Sequence, residues 1–128
     1  MARFPYFLTG ENVRVEHYGM AMYEGSIAAH NIMGKQKEVR SVPFFWTSMF
    51  GKTIRYAGHA VSFEDLLIDG DVENLNFVGF YVRKNQVLAV ITVSRDPVAA
   101  IAAELFDSGR MPSVDQLKEK NLNLNAFA

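Results

Sequence analysis

The sequence contains no cysteine, which excludes a disulfide framework, thiolate metal ligation, iron–sulfur ligation by this chain and thiol catalysis. It also lacks an excess of charge of either sign, because 13 basic residues stand against 14 acidic ones and the formal net charge is -1. Nucleic acids and anionic membrane surfaces attract basic patches, so this balance argues against both partners. No apolar run approaches the roughly 20 residues of a membrane span, and we expect a soluble protein.

Sequence motifs of common catalytic and cofactor sites are also missing. Neither a G-x-G-x-x-G nor a Walker sequence occurs, so the chain has no phosphate-binding loop of its own. No nucleophile elbow or catalytic triad is recognisable. The three histidines, His17, His30 and His59, lack metal-ligand spacing. We therefore predict no catalytic residue and no metal site within this chain.

Aromatic residues are concentrated in one stretch, residues 42–58, which contains the only tryptophan, Trp46, beside Phe44 and Phe45. Polar residues interrupt the rings, so neither a plain helix nor a plain strand would collect them on one face. One interpretation is a folded corner whose rings fill the core between two elements, and the other is a platform for a planar ligand. The residue pattern by itself favours the core.

The first regular element predicted is a helix over residues 16–33, with apolar residues at three- and four-residue spacing and Gly34 as its C-terminal cap. Glu16 and His17 lie at its start, where free N–H groups and the positive end of the helix dipole favour electron-rich groups. Such a pair can tune the electronics of a bound ring. The simpler interpretation is a glutamate that complements the dipole beside an exposed histidine.

Four later stretches have the residue pattern of β-strands: 52–57, 64–69, 75–83 and 86–94. The last two flank Lys84-Asn85 and are predicted to form a β-hairpin. Its outer edge offers a surface for strand pairing with another chain.

Two helices are predicted to follow the hairpin. Asp96 as N-cap and Pro97 at the first helical position begin one that Gly109 ends. Ser113 caps a short final helix through residue 120, and the tail from residue 121 is expected to be frayed or irregular. The order of elements predicts an α+β fold, with an antiparallel β-sheet covered on one face by helices.

Two blocks of sequence carry a family resemblance. The first is Arg3-Phe4-Pro5 with Arg14-Val15-Glu16-His17, and the second runs from Val42-Pro43-Phe44-Phe45-Trp46 to His59. Together they resemble the flavin-dependent NAD(P)H oxidoreductases of the apoptosis-inducing factor and ferredoxin-reductase group. The resemblance implies that residues 1–40 are the tail end of an FAD-binding domain. Residues 41–128 would then be a reductase C-terminal domain.

The resemblance also implies a cofactor site. Members of this group transfer hydride from NAD(P)H to FAD, and the helix that follows the Glu-His pair points its N-terminus at the flavin ring. Glu16, His17 and Tyr18 are therefore the candidate flavin contacts on the helix. In the aromatic stretch, Trp46 is the candidate stacking residue and Phe45 its neighbour.

Further expectations follow from the same resemblance. The chain is expected to be a segment of a longer parent, with FAD and NAD domains upstream. A mitochondrion-associated branch of the group implies a mitochondrial location and an upstream Rieske [2Fe–2S] domain. Since the phosphate-holding loops lie outside this sequence, we expect the isolated chain to be inactive and not to retain FAD. The alternative is a non-enzymatic interaction or homodimerisation module with a pro-apoptotic role.

Overall fold

A five-stranded antiparallel β-sheet organises the structure, a computed structural model that describes residues 2–128. In chain order the elements are β1 (Phe4–Pro5), β2 (Asn12–Val13), α1 (Tyr18–Ile32), β3 (Phe44–Met49), β4 (Lys52–Gly58), β5 (Asp65–Asp71), β6 (Asn76–Arg83), β7 (Gln86–Val93), α2 (Val98–Asp107), α3 (Val114–Glu119) and a 3-10 helix (Leu124–Phe127). β1 and β2 pair with each other, and the other five strands form the main sheet.

The order of strands across the main sheet is β3-β4-β7-β6-β5. The predicted hairpin is confirmed as β6–β7, and Lys84 and Asn85 both have positive φ (47° and 64°), as a two-residue hairpin turn requires. The predicted free edge on this hairpin is wrong. β7 pairs with β4 as well as β6, and β6 pairs with β5. Among the described residues, the free edges belong to β3 and β5.

The aromatic stretch contains a regular strand, which corrects the prediction that it would form neither strand nor helix. All six residues of β3 pair with β4, and Phe50 and Gly51 turn the chain between them. Because side chains alternate in a strand, Phe44 and Trp46 lie on one face and Phe45 on the other. Sharing the rings between two faces is compatible with an edge strand, whose residues are only partly buried.

Helices cover one face of the sheet, which confirms the predicted α+β fold. α2 packs on β4 and β7, and the core between them contains Ala57, Val90, Ala102, Leu105 and Phe106. Side chains that register places on the opposite face include Phe45, Ile54, Tyr56, Leu66, Ile68, Phe77, Tyr81 and Ile91. We call this the open face, because no helix packs on it within residues 2–128.

Residues 4–20 contribute a second apolar cluster beside the sheet. Its buried members are Phe4, Tyr6, Val13, Val15 and Met20. α1 is confirmed but is shorter than predicted at both ends. His17 adopts an extended conformation and takes the N-cap position, while Met33 is the C-cap.

The C-terminal region departs from two predictions. Pro97, not Asp96, is the N-cap of α2, and the Asp96 carboxylate forms an ion pair with Arg55 on β4 at 2.8 Å. The tail is not frayed or irregular, since it forms a 3-10 helix whose Leu124 is 1% exposed. The predicted cap Ser113 is confirmed, and its side chain and that of Gln116 complete a capping box.

No helix within residues 2–128 combines the length and the apolarity that crossing a bilayer would require.

Candidate functional site

His17 is the N-cap of α1. Its Nδ1 accepts a hydrogen bond from the Gly19 N–H at 3.3 Å, which satisfies one of the donors that helix geometry leaves free. The Ala21 N–H donates to the His17 carbonyl and closes the first turn. Neither Tyr18 N–H nor Met20 N–H has an acceptor one turn earlier within the helix, so the positive end of the helix dipole remains available at this point.

The imidazole of His17 also contacts the aromatic stretch. Its ring centroid lies 5.4 Å from that of Phe45, at an interplanar angle of 35°. Phe45 in turn stacks on Tyr56 of β4, with centroids 5.1 Å apart. The contact joins the start of α1 to β3, two elements that residues 33–43 separate in sequence.

The rings continue across the open face. Tyr56 meets Tyr81 edge-on at 5.9 Å, and Tyr81 meets Phe63 edge-on at 4.9 Å. We call His17, Phe45, Tyr56, Tyr81 and Phe63 the aromatic strip. It begins at the N-terminus of α1 and runs over strands β3, β4 and β6 to the loop before β5.

Trp46 lies on the other face of β3, opposite Arg55 in the strand register. It is 66% exposed, and its nearest described ring is that of Phe44 at a centroid distance of 6.5 Å. The structure therefore brings His17 and Phe45 together but directs Trp46 to the opposite side of the strand. The indole ring is largely open to solvent.

Glu16 and Tyr18 flank the capping histidine without joining its contacts. The Glu16 carboxylate pairs with the Arg14 guanidinium at 2.6 Å, so it neither binds His17 nor caps the helix. The Tyr18 side chain is 76% exposed. Both residues lie at the start of α1, where the resemblance places them, but neither belongs to the aromatic strip.

A cavity of about 180 Å³ lies between the first turns of α1 and residues 41–45. His17 and Phe45 form part of its wall, together with Met20, Tyr23 and Pro43. Small-molecule pockets usually measure about 300–1,000 Å³. This cavity is smaller than that range, so the described residues around it do not enclose a ring-sized site.

Burial changes the acid–base properties of Tyr56 in the strip and of two residues outside it, Tyr6 and His59. It raises the pKa of the Tyr56 phenol, although a hydrogen bond from the Ala60 N–H to the phenol oxygen acts in the opposite direction. It also raises the pKa of Tyr6, whose ring lies edge-on to His59, and lowers the pKa of His59. All three effects favour the neutral forms of these side chains.

The residues present fit part of a flavin. An aromatic wall beside a helix N-terminus suits a planar, electron-poor ring system that gains negative charge on reduction. The phosphate end of FAD has no counterpart, since the sequence lacks a glycine-rich phosphate loop. Among residues 2–128, no group of three or more His, Asp or Glu side chains is placed to hold a metal ion.

Sequence reasoning missed two features of the site, Tyr56 and Tyr81. The alternation of residues 52–57 predicted a strand. The sequence did not show that this strand, β4, pairs with β3 and β7. Sequence reasoning also missed three larger hollows. One of about 400 Å³ lies between Leu8, Leu88 and Phe106, and an apolar one of about 470 Å³ lies at the far end of the open face. The third, of about 420 Å³, lies between the connector at Arg40 and α2.

Comparison with known proteins identifies similar sequences for most of the chain. A family model described as "Reductase C-terminal" matches residues 44–128. Apoptosis-inducing factor 3 from Mus musculus is 43% identical over 98 residues, which cover 77% of this chain and 16% of that protein. Putidaredoxin reductase CamA from Pseudomonas putida is 27% identical over 111 residues, which cover 87% of this chain and 26% of that protein. The chain thus spans only a minor part of the length of these relatives.

Solved structures show the same fold. In the covalent putidaredoxin reductase–putidaredoxin complex, a chain superposes with a TM-score of 0.82 at 24% identity. The match covers 98% of this chain and 30% of that one. A ferredoxin reductase from Rhodopseudomonas palustris superposes with a TM-score of 0.79 at 20% identity, over 97% of this chain and 31% of its own. The shared fold includes the segment before residue 44, which the family model does not cover.

Proposed function

Because the chain belongs to the reductase C-terminal family, we propose that it forms the C-terminal part of a flavin-dependent NAD(P)H oxidoreductase of the apoptosis-inducing factor and ferredoxin-reductase group. The contact between His17 and Phe45 is the observation that carries this proposal. It joins a helix N-terminus and an aromatic strand at two of the five residues that the resemblance assigns to the flavin.

In the parent protein, bound FAD would accept hydride from NAD(P)H. The residues of this chain would act on the flavin ring by position and electrostatics. The N-terminus of α1 supplies N–H donors and a positive dipole end, both of which favour negative charge at a nearby ring edge. The tilted rings of His17 and Phe45 supply a wall that would exclude water from that edge.

Trp46 takes a separate role in this proposal. It is exposed on the face of β3 opposite Phe45, so a single flat ligand cannot lie against both rings. We assign the ring wall to Phe45 and His17, and place Trp46 at the rim of the site. Glu16 and Tyr18 contribute through their backbone positions at the helix start, since their side chains lie outside the aromatic strip.

The domain assignment follows the same reasoning. Residues 1–40 would be the end of an FAD-binding domain and residues 41–128 the reductase C-terminal domain. The FAD and NAD domains of the parent would be the partners of this chain. The isolated chain would be inactive, because it carries no phosphate loop and the cavity beside His17 and Phe45 is too small to enclose a flavin ring. A mitochondrial location, an upstream Rieske cluster and a role in apoptosis rest on the resemblance to the apoptosis-inducing factor branch.

Titration of the chain with lumiflavin, which has the flavin ring but no phosphate, tests the proposal. We expect weak binding, with NMR shift changes concentrated on His17, Phe45 and the Tyr18 amide. FAD should bind no more tightly than lumiflavin, because its phosphates find no loop. Phe63→Leu, at the far end of the aromatic strip, is the matched control and should bind lumiflavin like the unmodified chain. Shift changes confined to other surfaces would overturn the proposal. Stoichiometric FAD in the purified chain would overturn the expectation that the isolated chain does not retain the cofactor.

A further inference from the structure

Arg40 joins three parts of the chain that are distant in sequence. Its Nη1 donates to Asp107 Oδ1 at 2.9 Å, and its Nη2 donates to the Asp107 carbonyl at 3.0 Å. The guanidinium carbon lies 4.6 Å from the centroid of the Phe7 ring, in a cation–π arrangement. One side chain thus contacts both the N-terminal segment and the end of α2.

The backbone of Arg40 is hydrogen-bonded as well as its side chain. The Tyr23 hydroxyl donates to the Arg40 carbonyl at 3.0 Å and accepts from the Arg40 N–H at 3.4 Å. Tyr23 lies in α1, two turns after the capping His17. These bonds attach the first half of α1 to the connector that leads into β3.

The side-chain contacts use the particular chemistry of arginine. Asp107 is the last residue of α2, and its carbonyl belongs to the negative end of the helix dipole. A planar guanidinium can donate to the carboxylate and to that carbonyl at once while its flat face covers Phe7. A lysine ammonium keeps the charge. It has no planar pair of donors for the carboxylate and the carbonyl, and no flat face to stack on Phe7.

Arg40 lies immediately before residues that line the cavity next to His17. The end of the connector and the first two residues of β3, together residues 41–45, form one side of the 180 Å³ cavity, and the start of α1 forms the other. Fixing the connector to Tyr23 and Asp107 therefore fixes the distance across the cavity. Phe45 then meets His17 at 5.4 Å.

We infer that Arg40 is a positioning residue that holds the N-terminus of α1 against β3 and thereby sets the geometry of the His17–Phe45 wall. The inference extends the proposed function, since that wall is the flavin-facing element of the proposal. Arg40 touches neither ring of the wall in the described contacts and acts through the connector.

A second set of contacts, made by Arg83, also holds the N-terminal segment on the sheet. The loss of the Arg40 side chain can therefore be tested without undocking that segment. Arg83 on β6 donates to Glu11 at 3.0 Å and to the Ser62 hydroxyl at 2.9 Å, which ties the segment before α1 to the sheet. This tie does not involve the connector. Without the Arg40 side chain, the N-terminal segment should remain docked while the connector gains freedom beside the cavity.

The test compares Arg40→Ala, Arg40→Lys and Arg110→Ala in the full chain. Arg110 lies close to the same end of α2 and bonds only Ser108 within the described side-chain contacts, so it is the matched control. The first readout is the nuclear Overhauser effect between the His17 and Phe45 rings. We expect Arg40→Ala to lose it, Arg40→Lys to retain part of it, and Arg110→Ala to keep it, with the amide shifts of β6 and β7 unchanged.

The second readout is lumiflavin affinity. If the wall is correctly arranged in only a fraction of the molecules, the apparent dissociation constant rises in proportion, and we expect about a fivefold increase for Arg40→Ala. If Arg40→Ala keeps the ring contact and the affinity of the unmodified chain, the inference is overturned while the proposed function stands. If no variant binds lumiflavin but Arg40→Ala loses the ring contact, the proposed function fails and the positioning role is supported.

A further variant covers the case in which Arg40→Ala does not fold. Tyr23→Phe removes both hydrogen bonds to the Arg40 backbone and leaves the bonds to Asp107 in place. It should weaken the ring contact without abolishing it. An unchanged contact in Tyr23→Phe would contradict the role assigned to the connector.

Discussion

Adjacent residues of β3 have different surroundings, and the candidate site depends on this difference. Phe45 stacks on Tyr56 and contacts His17, whereas Trp46 points to the opposite face and is largely exposed. A one-residue shift in the pairing of β3 with β4 would exchange the two rings. The turn at Phe50-Gly51 fixes this register by pairing Met49 with Lys52.

Gly58, the last residue of β4, is one of two glycines, with Gly70, where a positive φ and close backbone contacts both oppose a side chain. Its φ is +89°, and a Cβ there would lie 2.5 Å from the Leu88 carbonyl oxygen and 2.9 Å from Ala89 Cα. We expect Gly58→Ala to lower the free energy of unfolding by roughly 2–4 kcal/mol, from backbone strain together with overpacking. Urea denaturation followed by circular dichroism measures this.

Gly109→Ala is the control for that experiment. Gly109 also has a positive φ, +69°, but nothing lies within 4 Å of the Cβ position. Gly109→Ala should lower the free energy of unfolding by only about 1 kcal/mol, from backbone strain. If both variants lose the same free energy of unfolding, the contacts of residue 58 with Leu88 and Ala89 do not add to the strain of its backbone.

At the scale of elements, local signals in the sequence predicted most of what formed. The β6–β7 hairpin, α1 and the Ser113 cap each depend on residues within a few positions of one another. The strand order does not, because β4 pairs with β7 across more than 30 residues. The same limit applies to the site. The sequence predicted the start of α1, but the contact between His17 and Phe45 joins residues 28 positions apart and depends on tertiary packing.

The β3–β4 turn contains an unfavourable residue. Phe50 has a φ of 50° and is 98% exposed, and Gly51 follows with a φ of 72°. Two-residue turns with both φ values positive strongly prefer Asn-Gly, because asparagine tolerates the left-handed region better than phenylalanine. We expect Phe50→Asn to raise the free energy of unfolding by about 0.5–1 kcal/mol, measured by thermal and urea denaturation.

Phe50→Leu separates the backbone effect from the loss of the ring. Leucine removes the aromatic ring but has the same difficulty at positive φ, so its stability should stay close to that of the unmodified chain. A gain of equal size in both variants would attribute the effect to removal of an exposed ring and not to the turn.

At the scale of the whole molecule, residues 4–20 and the sheet are packed into one structure. Leu8 and Val42 pack against the main core, and the Glu11–Arg83 and Arg40–Asp107 pairs tie the N-terminal segment and the connector to β6 and α2. Exposed ion pairs of this kind contribute little individually. The buried aromatic residues at this junction, of which Tyr6 is 1% exposed, contribute more through the area they remove from water.

Tyr6 makes the packing of residues 4–20 on the sheet dependent on pH. Burial raises the pKa of its phenol above the ordinary value of 10.0, so the folded state keeps the proton while the unfolded state releases it at high pH. Stability should therefore be unaffected by this group below pH 10 and should fall as the pH rises above it. Tyr6→Phe should make that alkaline loss shallower, as measured by urea denaturation between pH 8 and pH 11.

Tyr18→Phe is the control, because the Tyr18 side chain is exposed in the folded chain. Removal of its hydroxyl should leave the alkaline profile unchanged. Some alkaline loss should persist in Tyr6→Phe, since burial also raises the pKa of Tyr56. An identical profile for Tyr6→Phe and the unmodified chain would mean that the Tyr6 ring is not held in the buried position.

The strand order has a consequence for how the chain is made. β7 lies at the centre of the sheet, yet it is the last of the five strands in sequence. During synthesis, the β3–β4 and β5–β6 hairpins emerge first, and neither β4 nor β6 has its inner partner until residues 86–93 leave the ribosome. The main sheet therefore cannot close until the last of its strands has been made, and until then the inner edges of β4 and β6 have no partner.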